Sequence, residues 1–214
     1  LHGYTTWNSA THEIPERVIL KNNIFPTMFQ LLRDAQPEAE IGCIYEWDGI
    51  KYVIDTLSTS YQEMVPPSKI YTDEMAKMSV KYIKEKKPVL GAFIFDNPDH
   101  VGHDAGHDTP EYYANLKELD GYIGEIIQAT KDAGIYENCI FIVTSDHGGI
   151  DHGHGGKTLE EINTPFIIAG KGVKKGGEFQ ESMMQFDCAP TVLEIFGLEG
   201  PQVWVGRSMS QVFE

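Results

Sequence analysis

Two short apolar runs in this chain each end in a cluster of carboxylates and imidazoles, and that pairing constrains the fold more than any other feature. Residues 89–95 lead straight into Asp96-Asn97-Pro98-Asp99-His100-Val101-Gly102-His103, and Phe141-Ile142-Val143-Thr144 leads into Ser145-Asp146-His147-Gly148-Gly149-Ile150-Asp151-His152-Gly153-His154. Continuous apolar runs of this length, bounded by turn formers, are typical of strands buried on both faces of a parallel sheet. Ligands of such sheets collect at the carboxyl ends of the strands. Ionised Asp and neutral His together suit zinc or its neighbours. Two ions ~3.5–4 Å apart can hold both the attacking and the leaving oxygen of a displacement at phosphorus.

Helical periodicity fills the space between the apolar runs. Phe25, Met28, Phe29 and Leu32 lie at helical spacing around residues 26–33, and residues 41–45 read as a strand. Over residues 72–84, Met75, Met78, Tyr82 and Ile83 share one face, and Lys84, Lys86 and Lys87 complement the helix C-terminus before Pro88. Thr109-Pro110-Glu111 predicts a helix start, with Thr as N-cap and Pro at the first helical position. Tyr112, Leu116, Leu119, Ile123, Ile126 and Ile127 continue it to Gly134. Strands follow at 139–144 and 166–169, then a helix over 190–196 capped by Gly197. The alternation predicts an α/β fold, a largely parallel sheet with helices on both faces. No repeat or linker divides residues 1–214, so a single domain is expected. Residues 56–70, with Pro66-Pro67, read as a loop or small cap over the sheet edge.

A formal charge of −15 argues against a nucleic-acid-binding surface, which needs clustered Lys and Arg. It also means that a small anionic substrate must meet local positive charge at its site, as a metal pair would provide. Cys43, Cys139 and Cys188 are odd in number and widely spaced, which is no disulfide framework. No run reaches the ~18 apolar residues of a membrane span. The start, Leu1-His2-Gly3-Tyr4, has neither an initiating Met nor the charged and apolar regions of a signal peptide.

Asp99 and His103 are four residues apart, with Gly102 giving the backbone room to turn, so both side chains can reach one ion. Asp146 and His147 are adjacent at a strand end, where a turn can aim both into one cavity. Either pair alone reads equally well as a capped turn. Both together, at matching strand ends, point to a metal centre.

The runs Pro98-Asp99-His100-Val101-Gly102-His103 and Thr144-Ser145-Asp146-His147-Gly148-Gly149, with His154-Gly155-Gly156, resemble the metal-binding motifs of the alkaline phosphatase superfamily, in its type I phosphodiesterase and nucleotide pyrophosphatase branch. The ends resemble that branch too. Leu1-His2-Gly3-Tyr4 is similar to the His-Gly step after its nucleophile loop. Asp187-Cys188-Ala189-Pro190-Thr191-Val192-Leu193 with Gly206-Arg207-Ser208-Met209 is similar to its C-terminal signature. The resemblance implies an alkaline phosphatase-like domain with two divalent metals, zinc or alternatively manganese. Asp99, His103 and either His152 or His154 would hold one ion, with His154 favoured, and Asp146 and His147 would hold the other. His100 and His107 would flank the site. Asn8 would bind a phosphoryl oxygen, and Lys157 reads as a loop lysine or a further positive charge. The implied substrate is a small phosphate ester, and an extracytoplasmic location is favoured.

In that branch the nucleophile, a Thr or Ser, and a further Asp ligand precede the His-Gly step, which places both before Leu1. Thr5, Thr6 and Ser9 follow it and are expected to be structural. The chain therefore reads as an N-terminally incomplete piece of a longer hydrolase, with negligible turnover expected of these residues alone and self-association through an uncovered sheet edge as a further expectation. Sulfatases of the same fold are the main rival. They use a modified Cys or Ser in a Cys-x-Pro-x-Arg setting, whereas Cys188-Ala189-Pro190-Thr191-Val192 lacks the Arg and lies far in sequence from the metal motifs. A non-catalytic, metal-stabilised domain is the rival from another class.

Overall fold

The computed structural model describes residues 26–65 and 72–214. The first helix among the described residues, α1 (Met28–Ala35), starts at Thr27, whose hydroxyl accepts the Gln30 N–H at 3.1 Å and whose extended backbone sets the helix entry. The helix buries Met28, Phe29 and Leu32. Strand β1 (Ile41–Tyr45) follows and is buried along its whole length. After a short 3₁₀ turn come β2 (Tyr61–Met64), α2 (Thr72–Lys86) and β3 (Leu90–Ile94). The chain continues with α3 (Asp99–Ala105), α4 (Pro110–Asp132), β4 (Ile140–Thr144), α5 (Leu159–Ile162), β5 (Phe166–Gly170) and α6 (Cys188–Ile195).

Strands β2, β1 and β3 form a parallel sheet in that order, with Cys43 opposite Gln62 on one side and Ala92 on the other. Alternation along β1 divides its side chains between two layers. Ile41, Cys43 and Tyr45 pack with Phe29 and Leu32 of α1 and Ala189, Val192 and Leu193 of α6. Ile44 packs with Val65 and with Met75 and Tyr82 of α2. Gly42 points to the same side, where a Cβ would overlap the Tyr82 ring. Helices thus cover both faces, and each fully buried Phe, Leu or Ile contributes about 1.5–3 kcal/mol of apolar transfer. Behind α2, Ile83 meets Ile126 and Ala129 of α4.

Two features depart from the sequence reading. Tyr61–Met64, inside the 56–70 stretch expected to be a loop or small cap, is instead a strand at the sheet edge, paired with β1 over four positions. Residues 66–70 lie outside the described residues. The second departure concerns β4 and β5, which pair antiparallel with Thr144 opposite Phe166. A chain that returns from β4 through only the 145–165 loop and the short α5 lacks a full crossover helix, so it pairs as a wide hairpin. The predicted parallel character resides in β2-β1-β3.

The parallel pairing brings the carboxyl ends of β1 and β3 to one edge. There the Glu46 N–H donates to the Ile94 carbonyl at 3.1 Å, and the buried Glu46 carboxylate accepts the Asp96 N–H at 2.8 Å. Burial pushes the Glu46 carboxyl above its usual range, partly offset by that hydrogen bond. Asp96 is also raised, by burial first and by the negative charge of Asp99 second.

Candidate metal centre

The turn after β3 opens directly into α3, whose first residue is Asp99. One helical turn later, His103 lies on the same face, with its Nε2 3.3 Å from Asp99 Oδ2. The chain after β4 supplies the opposing wall. His154 Nε2 lies 3.5 Å from Asp99 Oδ1 and His147 Nε2 lies 3.9 Å from the same oxygen, while His107 Nε2 stands 4.0 Å away. The His147 and His154 rings stack, with centroids 3.7 Å apart and planes 20° off parallel. Four imidazoles therefore converge on one carboxylate.

Proton positions follow from the partners of the other ring nitrogens. His103 Nδ1 is 2.8 Å from the His152 carbonyl, His107 Nδ1 is 3.0 Å from the Asp151 carbonyl, and His147 Nδ1 is 2.7 Å from the Gly148 carbonyl. A carbonyl only accepts, so each Nδ1 carries a proton and donates it, which leaves each Nε2 facing Asp99. Asp99 Oδ1 is buried and has no hydrogen-bond partner among the described residues. Imidazole nitrogens facing a buried carboxylate oxygen need a proton or a metal cation between them. Ligand atoms of Asp99, His103 and His154 all lie within 4.8 Å of one another. Tetrahedral zinc with bonds of about 2.0–2.1 Å spaces its ligands about 3.3 Å apart, close to the 3.3 and 3.5 Å separations here. The donor set fits a divalent metal.

Of the two histidines left open by the sequence, His154 joins this group and His152 does not. His152 instead donates from Nδ1 to the His103 carbonyl at 3.1 Å, reciprocating the bond that His103 makes to its own carbonyl. Asp146 and His147 face each other, with Asp146 Oδ2 3.7 Å from His147 Nε2. Lys157 is exposed. His100 Nε2 lies 3.8 Å from Asp104 Oδ2 rather than on Asp99. Asn8 lies outside the described residues.

Sequence reasoning left the support given by His107 and Gly102 incomplete and missed Gln185, Glu46 and Glu161. His107, expected merely to flank the site, is buried between Gly102 and Gly149, where a Cβ on either glycine would overlap its ring. Gly102, read as a turn residue, sits inside α3 and leaves room for that ring. Gln185 donates from its side-chain amide to the carbonyls of Ser145, at 3.1 Å, and Asp146. Glu46 holds the start of the Asp99 turn, and Glu161 accepts hydrogen bonds from the loop beyond His154. Only Glu161 has a local signature, the Thr158-Leu-Glu-Glu161 pattern of a capping box.

Residues 21–184 match the family described as type I phosphodiesterase / nucleotide pyrophosphatase. The chain belongs to this family, within the alkaline phosphatase superfamily. Ectonucleotide pyrophosphatase/phosphodiesterase family member 5 of Homo sapiens is 29% identical over 103 residues, which cover 48% of this chain and 21% of that protein. Arylsulfatase K of Danio rerio is 33% identical over 107 residues, covering 44% of this chain and 20% of that protein. The chain thus spans about a fifth of the length of these curated relatives. In fold, it is similar to a solved 2-O GAG sulfatase, with a TM-score of 0.73 at 15% identity over 98% of this chain and 61% of that one. This likeness supports the alkaline phosphatase-like fold of the phosphodiesterase family member. No described helix is long and apolar enough to cross a membrane.

Proposed function

We propose that this phosphodiesterase family member is a metal-dependent hydrolase of phosphate esters, acting on phosphodiester or nucleotide pyrophosphate bonds of a small anionic substrate. The observation that carries the reading is the convergence of four imidazole Nε2 atoms on the Asp99 carboxylate, whose buried Oδ1 has no hydrogen-bond partner among the described residues. Asp99, His103 and His154 would hold one divalent cation, and Asp146 and His147 contribute to a second, with zinc or manganese matching the donors. Bound cations there supply Lewis acidity and neutralise charge on the nonbridging oxygens of the ester. Asp99 supplies the anionic charge for the first position. The Nδ1–H donations of His103 and His147 hold their rings in the ligating tautomer. Asn8, by resemblance, binds a phosphoryl oxygen. An extracytoplasmic location accompanies this reading.

Sulfate-ester hydrolysis is the second reading, favoured by the likeness to arylsulfatase K. Against it, Cys188 begins α6 and packs against the core formed by α1 and β1, with its thiol pushed up by burial, the opposite of an activated cysteine.

Calorimetric titration of the zinc-loaded chain with a nucleoside monophosphate, inorganic phosphate and inorganic sulfate separates the two. Metal-dependent binding that favours the phosphates and disappears in His154→Ala supports the proposal. Preference for sulfate, or binding indifferent to metal, would contradict it.

A further inference from the structure

Glu161 contacts both histidine-bearing turns of the site. Its carboxylate is buried, with Oε1 accepting the Gly156 N–H at 2.7 Å and Oε2 accepting the Thr158 hydroxyl at 2.7 Å and the Thr158 N–H at 3.2 Å. Its main-chain carbonyl accepts the Gly148 N–H at 2.8 Å. Gly148 follows His147 directly, and Gly156 lies two residues beyond His154.

A capping box explains only part of this arrangement. That motif requires a Glu at the third helical position to reach the N-cap backbone, here Thr158. It requires neither the bond to Gly156, two residues before the cap, nor the bond from Gly148 on a separate segment. Both glycines are also shaped by the contact. A Cβ on Gly156 would overlap the Glu161 carboxylate, and one on Gly148 would overlap the Glu160 carbonyl. The four-residue α5 is too short to be stable alone.

We infer that Glu161 is a positioning residue that sets the spacing of His147 and His154, its carboxylate fixing the turn after His154 and its carbonyl the turn after His147. The inference rests on the metal reading proposed above. Its role goes beyond orienting a single ligand, because it governs the stacked separation of two. Groups that hydrogen-bond a ligand directly alter metal affinity about 10- to 100-fold when removed, and Glu161, one bond further out, is placed at the lower end of that range.

The test measures zinc affinity by competition with a chelator, together with ¹H–¹⁵N spectra of the imidazoles in metal-free protein, for the parent chain, Glu161→Ala and Glu161→Gln. Glu161→Ala is expected to weaken zinc at least about tenfold. It should also shift and broaden the His154 ring signals, and through the stack those of His147, while leaving those of His107 in place. Glu161→Gln retains one oxygen for the Gly156 N–H and is expected to recover most of both effects. A folded Glu161→Ala with parental affinity and parental ring signals overturns the inference, as does a Gln variant no better than Ala. If Glu161→Ala fails to fold, unperturbed ring signals for His147 and His154 in Glu161→Gln support positioning, and displaced ones overturn it. A parent chain that binds no zinc refutes the metal reading, and the ring signals then still decide the role of Glu161.

Discussion

The two walls of the candidate metal centre are built in opposite ways. One is a single helical turn, in which Asp99 opens α3 and His103 follows four residues later, so backbone hydrogen bonds place both side chains on one face. The other is a glycine-rich passage from Asp146 to Gly156. There is no regular helix in that passage, and its turns are held by Glu161, Gln185 and the ring of His107. A helix positions ligands through its own periodicity, whereas an irregular loop borrows rigidity from side chains elsewhere. The helical wall should therefore be sensitive mainly to loss of its ligands, and the loop wall also to changes that touch no ligand.

The largest effect should come from the ligand at the centre. Asp99→Asn removes the charge on which the imidazoles converge and is expected to lower zinc affinity beyond the roughly 100-fold range of supporting residues, as measured by chelator competition. The same change relieves a buried carboxylate oxygen without a hydrogen-bond partner, so the melting temperature of the metal-free protein should not fall. A drop of several degrees would mean that Asp99 is structural.

Next, two glycines of the loop wall can be set against each other. Gly148→Ala drives a Cβ into the Glu160 carbonyl, and an overpacked site of this kind costs about 1–3 kcal/mol in denaturant melts. Gly153→Ala meets open space and should stay within about 0.5 kcal/mol of the parent. Equal costs would remove the basis for calling the loop wall side-chain-supported.

A smaller effect is expected from acid. Thr158 and Gly156 donate to Glu161 and hold its carboxyl below the usual glutamate range. A depressed folded value gives stability that is present above the unfolded value and lost as pH falls through the folded one. Acid melts of metal-free protein should therefore show a loss of stability just below the usual glutamate range that is absent in Glu161→Gln. Parallel curves would show that the carboxylate is not held in this way.

The contrast between the walls also explains what could be read from the chain. Apolar periodicity announced α1, α4 and the strands other than Tyr61–Met64, and Thr109-Pro110 marked the start of α4 as observed, with the Thr109 hydroxyl accepting the Tyr112 N–H. The i,i+4 spacing of Asp99 and His103 was equally visible. His154 was favoured over His152 by resemblance alone, because the geometric choice depends on a reciprocal ring-to-carbonyl pair between residues 49 apart. His107 was expected near the site without ligating, and its burial could not be read because it depends partly on Gly149, 42 residues away. The antiparallel pairing of β4 with β5 and the edge strand Tyr61–Met64 likewise depend on tertiary partners, which local pattern does not encode.

The most direct test of the central claim is a calorimetric titration of the metal-free chain with zinc and with manganese, alongside His154→Ala and His152→Ala. The account predicts a high-affinity site that is lost in His154→Ala, while His152→Ala, lacking only a ring that braces His103, keeps it with affinity reduced about tenfold. Equal loss in both variants, or parental binding by His154→Ala, would contradict the assignment of Asp99, His103 and His154 to one cation.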